Sequence, residues 1–420
     1  MRPIITALFL FVSFFGLAQK QNKADRQLMK NLKLHVQYLA SDVLEGRRAG
    51  SEGEQKAVDY IIAQYEAAGI QPMGTKGYLQ AFPINEGKKW GDNAFLKVNQ
   101  QSMDFGNDFF TVSTGSNGQF TTKSTLALEE AGQVWFKDLQ EVLEEQQSNP
   151  HFDVQDWMKT TSSEMHQKNA KALFLYNSGS LVDNIQFNKF DTSAALAIPV
   201  VYITKDGFKK YFNDALGTFD IDANLILVPQ IRTGKNVVAY IDNKAAHTVV
   251  LGAHVDHLGY NQDKNALDIN NDIRNGADDN ASGTAALIEL AKSLVKKAPK
   301  NNNYLIIHFS GEELGLLGSK YWLDHPTYSG NFNYMINMDM VGRYDTARKL
   351  TVGGYGTSAN WSSILKNIST DLITHYDSAG TGPSDHASFY RKDMPVLFMF
   401  TGSHSDYHKS TDDADKINYA

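Results

Sequence analysis

From residue 236 onward the chain alternates short apolar runs with amphipathic stretches, an order that few folds accept. Asn236 to Asp242 and Thr248 to Ala253 read as strands, followed by a helix from Ser282 to Lys297 and a strand from Tyr304 to Ser310. A helix from Leu316 to Asp324, a strand from Phe332 to Met338, a helix around Ser358 to Thr370 and a strand from Pro395 to Thr401 continue the series. Strands alternating with helices predict an α/β fold, a three-layer sandwich around a mostly parallel central sheet.

Two more helices are expected near the start, Asp25 to Ala40 and Ser51 to Ala68, joined by a Gly/Arg-rich turn from Leu44 to Gly50. In the second, Ala57, Ile61, Ile62 and Tyr65 recur at helical spacing and Gly69 stops the run. Between residues 88 and 230 the texture changes: Asn, Gln, Thr and Ser surround short apolar runs. Asp138 to Gln147 reads there as an acidic helix, and Ala172 to Tyr176 and Ile198 to Ile203 read as strands. We read 88–230 as a smaller lobe inserted into a discontinuous main domain of residues 24–87 and 231–420.

Arg2, the apolar run Ile4 to Phe15 and the small residues of Gly16-Leu17-Ala18 have the form of a cleavable signal peptide over residues 1–18. The run falls short of the roughly 20 residues that span a bilayer, so the expected location is secreted or periplasmic, without a stable membrane span. The chain has no cysteine, which rules out disulfides and leaves stability to the core or to bound metal. Among 420 residues, 47 acidic against 40 basic side chains give a net charge of -7, with no dense Lys/Arg run. Nucleic acid is therefore not an expected partner.

Polar residues gather where the predicted strands stop, and open α/β sheets place their sites there. In His254-Val255-Asp256 the two polar side chains lie on the same side of an extended segment. His254 can then bind a metal while Asp256 receives its second N–H, with His257 read as a solvated neighbour. Asp278 and Asp279 precede a helix that Ser282 alone could cap, which leaves one of the two free to bridge two cations. Glu312 and Glu313 follow an apolar strand, where adjacent carboxylates are costly unless positive charge is near. Their side chains point in different directions, so one can ligate while the other acts as general base. Asp339, between Met338 and Met340, needs a partner that a second cation would supply. Either His386 or His408 could complete the set, and nitrogen and oxygen donors without thiolate favour zinc, with cobalt or manganese as substitutes.

Taken together, Gly252-Ala253-His254-Val255-Asp256-His257, Gly276-Ala277-Asp278-Asp279-Asn280-Ala281-Ser282-Gly283, Gly311-Glu312-Glu313, Asn337-Met338-Asp339, Ser384-Asp385-His386 and Tyr407-His408-Lys409 resemble the co-catalytic di-zinc aminopeptidases of peptidase clan MH. The resemblance covers residues 24–85 and 236–420. It implies two zinc ions per chain, with Asp279 as the bridge, His254 and Asp339 on one ion, and Glu313 and His408 on the other. Glu312 is then the general base, with Asp385 and His386 behind the ligands or against substrate, and the Asp279–Asn280 peptide bond is expected to be cis. Thr381 stands where some secreted members carry an oxyanion-stabilising tyrosine, and Tyr407 is the substitute considered. The inserted lobe is similar, more loosely, to a protease-associated domain. Relatives continue into a helix where this chain ends at Ala420, which reads as a truncated C-terminus.

The expected activity is removal of N-terminal residues from peptide substrates by a zinc-dependent exopeptidase. The same scaffold serves glutaminyl cyclases, carboxypeptidases and a non-catalytic receptor ectodomain. Retention of five ligands and a base argues against the last.

Overall fold

The computed structural model describes residues 23–297, 300–345, 347 and 349–420. The signal peptide expected over 1–18 lies outside the described residues. The chain divides into two compact units, one running to Phe82 and resuming at Thr233, the other spanning Pro83–Arg232. The sequence reading put these divisions at 88 and 230.

The first unit is built on a sheet whose strands lie in the order Gln71–Pro72, Leu227–Ile241, Asn303–Phe309, Thr248–His254, Phe332–Met338, Val396–Phe400, Leu350–Gly353 and Thr374–Tyr376. Asn303–Phe309, Thr248–His254, Phe332–Met338 and Val396–Phe400 run parallel to one another. Antiparallel pairing enters where Leu227–Ile241 meets Asn303–Phe309 and where Leu350–Gly353 meets Val396–Phe400.

Thr248–His254 is buried at every position, the signature of a strand covered on both faces. Its side chains divide with the period of two that a pleated strand imposes. Val249, Leu251 and Ala253 pack with Val237, Ala239 and Ile306 beneath the helices Lys23–Leu39, Glu52–Ala67 and Gly283–Lys297. Val250, Leu305, Ile307 and Phe309 face the other way, toward Trp322 of Leu317–Asp324 and Phe389 of His386–Tyr390. These two apolar layers on one sheet give the three-layer architecture.

Local chemistry sets the ends of the covering helices. Ser51 caps Glu52–Ala67 by accepting the Glu54 N–H at 3.3 Å, and the Glu54 carboxylate turns back to the Gly50 N–H at 2.8 Å. The helix expected from Ser358 to Thr370 spans only Trp361–Lys366. Asn367, Ile368, Ser369 and Thr370 are weak helix formers, and the chain turns instead into the short strand Thr374–Tyr376. That strand and Leu350–Gly353 were not foreseen, because three or four residues carry too little pattern.

Within Pro83–Arg232, an antiparallel sheet orders Gln101–Ser102, Phe95–Val98, Thr218–Leu225 and Gly118–Thr125. A second orders Phe109–Thr111, Val200–Ile203, Ala172–Tyr176 and Val134–Asp138, with parallel pairing between the last three. The acidic helix is Leu139–Gln146, capped by Asp138 through the Gln140 N–H at 3.0 Å.

Candidate metal centre

His254 ends the central strand, whose neighbours lead into Glu312–Glu313 on one side and Asp339 on the other. The chain passes from Thr248–His254 to Asn303–Phe309 and then crosses back to Phe332–Met338 on the opposite flank. This reversal of strand order opens a crevice at the carboxyl ends of the strands. Asp278 and Asp279 lie in the turn before Gly283–Lys297, and the Asp279–Asn280 peptide bond is cis. Asp412 Oδ2 accepts the N–H groups of Asp278 at 2.8 Å and Asp279 at 3.1 Å, which holds that turn from the C-terminal segment.

The side-chain geometry has a definite pattern. His254 Nε2 lies 3.2 Å from Asp279 Oδ1 and 3.2 Å from Asp339 Oδ1. His408 Nε2 lies 3.3 Å from Asp279 Oδ2 and 3.2 Å from Glu313 Oε2. Asp279 thus offers each of its two oxygens to a different histidine–carboxylate pair. Both histidines turn their Nδ1 to a main-chain carbonyl, His254 to Asp256 O and His408 to Asn265 O, each at 3.1 Å. With the N–H at Nδ1, the Nε2 lone pair of each would face carboxylate lone pairs unless a cation lies between them. Two ligands about 2.0–2.1 Å from one zinc stand roughly 3.3 Å apart in tetrahedral geometry, so the donor set fits such ions. His254, Asp279 and Asp339 lie close enough together to hold a metal ion, as do His257, Asp279 and Glu313.

The electrostatics of these groups express the same crowding. Burial penalises a charge on His254, but Asp339, Glu312, Asp256 and Asp279 outweigh it and hold its pKa well above the ordinary range. Burial opposes protonation of His408 as well, and Asp279 and Glu313 overcome it to raise the imidazole to about 10. Asp279 is desolvated, yet His254 and His408 keep its carboxyl well below the usual range. Burial pushes Glu312 well above its ordinary value, opposed by His254 and reinforced by Glu313, Asp339 and Asp385. Such an excess of carboxylates in little water requires protons or cations.

The remaining expected residues fall as follows. Asp256 is buried, but its carboxylate sits 3.8 Å from His254 Nδ1, and the backbone carbonyl makes the hydrogen bond instead. Asp256 Oδ1 accepts the Glu312 N–H at 3.1 Å, so this aspartate holds the segment that carries the two glutamates. His386 is buried and stacks on Phe398 with ring centroids 4.2 Å apart, while His408 faces Asp279 Oδ2. Burial raises the Asp385 carboxyl to about 7. Thr381 is exposed, whereas Tyr407 stacks on His408 with ring centroids 3.9 Å apart. Burial and the carboxylates of Asp279, Glu313, Asp339 and Glu312 push the Tyr407 phenol above its ordinary pKa.

Three residues escaped sequence reasoning. His257, read as solvated, is 2% exposed and bonds Glu313 Oε1 through Nδ1 at 2.7 Å. Segments remote in sequence cover it: its N–H donates to Arg47 O, and Gly276 packs against its ring. Arg47 is buried and donates to Val255 O, Leu39 O, Asn275 O and Gly276 O, tying the His254 and Asp279 segments to the N-terminal turn. Asp412 holds the Asp279 turn; the motif from Tyr407 to Asp413 contained it without that role.

An open, largely parallel α/β sheet carries a cluster of imidazoles and carboxylates at its strand ends, the donor set of a candidate metal centre. Residues 236–420 match the family model for Peptidase family M28. Leucine aminopeptidase 2 of Trichophyton equinum is 28% identical over 45% of this chain and 38% of its own length. Aminopeptidase YwaD of Bacillus subtilis is 28% identical over 53% of this chain and 46% of its own length. The chain therefore spans less than half the length of these curated relatives. The structure of BSAP, a zinc aminopeptidase from Bacillus subtilis, aligns at 19% identity with a TM-score of 0.49, over 93% of this chain and 90% of that one.

Proposed function

We propose that the protein is a secreted aminopeptidase that holds two zinc ions, one among His254, Asp279 and Asp339 and the other among His408, Asp279 and Glu313. The observation that carries this reading is the division of the two Asp279 oxygens between separate histidine–carboxylate pairs. The relatives named as aminopeptidases support the direction of cleavage. When bound, the ions supply Lewis acidity and ease deprotonation of water at neutral pH.

The chain's own groups supply the rest. Glu312 projects beside the paired sites and remains partly exposed, so a carboxylate oxygen can take the proton of the attacking water and return it to the leaving amine. Asp256 fixes the Glu312 backbone while this proton moves. Tyr407, kept protonated by its surroundings, can donate its O–H toward the negative charge that develops on the scissile carbonyl oxygen.

The decisive experiment combines metal analysis with substrate choice. Purified protein should carry two zinc ions per chain and release the first residue from aminoacyl anilides and free peptides, but not from N-acetylated ones. Cleavage from the carboxyl end, cyclisation of N-terminal glutamine without hydrolysis, or a single ion that a second does not activate would each refute this assignment.

A further inference from the structure

His257 sits beside the proposed centre without a role in it. Its backbone and ring are held by three contacts. The backbone N–H donates to Arg47 O at 3.1 Å. Gly276, at φ +56°, lies flat against the ring, and a Cβ there would come within 2.5 Å of His257 Cδ2. Nδ1 meets Glu313 Oε1 at 2.7 Å, while Glu313 Oε2 is the oxygen that faces His408 at 3.2 Å.

The distances separate two kinds of contact. The His254 and His408 nitrogens stand 3.2–3.3 Å from their carboxylate oxygens, the spacing of groups that share an ion. His257 stands at hydrogen-bond length from Glu313 and 4.0 Å from Asp279 Oδ2. Its Nε2 is buried with no hydrogen-bond partner among the described residues, so the ring's hydrogen bond is the one with Glu313. We infer that His257 is a positioning residue: its Nδ1–H holds one oxygen of Glu313 and so fixes the rotamer that presents the other to the metal shared with His408. Outer partners of this kind orient a ligand and raise its effective basicity, and their loss typically costs 10- to 100-fold in metal affinity.

The inference rests on the two-ion reading and can be tested apart from it. Metal binding would be measured by calorimetry and competitive chelation on the full chain. His257→Asn keeps an N–H donor near the place of Nδ1, whereas His257→Leu keeps bulk and loses the donor. One of the two ions should bind roughly 10- to 100-fold more weakly in His257→Leu and within a few-fold of wild type in His257→Asn. The affinity for the other ion and the melting temperature of the chelated protein should be unchanged in both.

Wild-type affinities in both variants would overturn the inference, as would equal losses in both or a matching fall in the chelated melting temperature. A His408→Ala variant that keeps both ions tightly, beside a His257→Leu variant that loses one, would make His257 the ligand and overturn it too. A wild-type protein that binds no second ion would instead overturn the functional reading.

Discussion

Glu312 and Glu313 are neighbours in sequence, yet their surroundings differ. Glu313 is engaged on both carboxylate oxygens, by His257 and by His408, whereas the Glu312 contact with Asp256 is through its backbone N–H. Changing each to glutamine should therefore fail in different ways. Glu313→Gln weakens a ligand, so metal content should fall and added zinc should restore part of the activity. Glu312→Gln should keep both ions, leave KM near wild type and lower kcat by about 10²- to 10⁴-fold, the usual worth of a general base. Steady-state kinetics with metal analysis on the same samples decides it, and near-normal kcat in Glu312→Gln would place the base elsewhere. The pair was legible in the sequence because two acids after an apolar strand are hard to explain otherwise; local pattern left open which acid does which, and only the family resemblance implied it, because the assignment depends on His257 and His408 arriving from other segments.

At the scale of the elements, strand Asn303–Phe309 carries a histidine inside the sheet. His308 is fully buried opposite Ala253 and bonds the Tyr65 hydroxyl at 2.6 Å across to the helix Glu52–Ala67. Burial lowers its pKa to about 3. Between that value and about 6.5 the unfolded chain binds a proton that the native state refuses. The stability contributed is thus present above the unfolded pKa and lost as pH falls from about 6.5 toward 3. At pH 5 the cost is about 2 kcal/mol. His308→Gln should narrow the difference in unfolding free energy between pH 7 and pH 5 by about that amount, measured by urea titration. An unchanged difference would mean that His308 is protonated in the native state. Strand positions were readable from apolar runs, but the inward direction of His308 followed only from the pairing register.

For the whole molecule, metal and fold are expected to be linked. Ligands that bind only the native state add about 4 kcal/mol at a thousandfold excess over Kd, so chelation should lower the melting temperature by several degrees. Without ions, protonated His254 and His408 take over part of the cations' role among the carboxylates. The His408 pKa, raised to about 10, makes its contribution complete below the unfolded value near 6.5 and lost as pH rises through 10. Chelated protein should therefore lose stability between pH 7 and pH 10 more steeply than zinc-loaded protein, as read by thermal melts. Parallel curves would argue against these protonation states. A second expectation concerns Pro83–Arg232, which has its own apolar clusters around Phe174 and Leu173. Expressed alone, it should unfold cooperatively, and a structureless spectrum would show that it depends on the rest of the chain.

Among the described residues, no helix is long and apolar enough to cross a membrane. The long strands and helices from residue 236, the alternation that sorts Val249 from Val250, and the polar residues at strand ends follow from local pattern, and the sequence alone determined them. Backbone hydrogen bonding and the burial of apolar side chains repeat every few residues, so they leave a periodic trace. The pairing of Asp279 with two histidines 25 residues upstream and 129 downstream of it leaves none, and only the resemblance to a family implied it. Nor do the capture of its turn by Asp412, the inward ring of His257 and the carbonyls gathered by Arg47. These depend on which distant segments meet at the crevice, and only the tertiary structure decided them, because a contact between remote residues has no period along the chain.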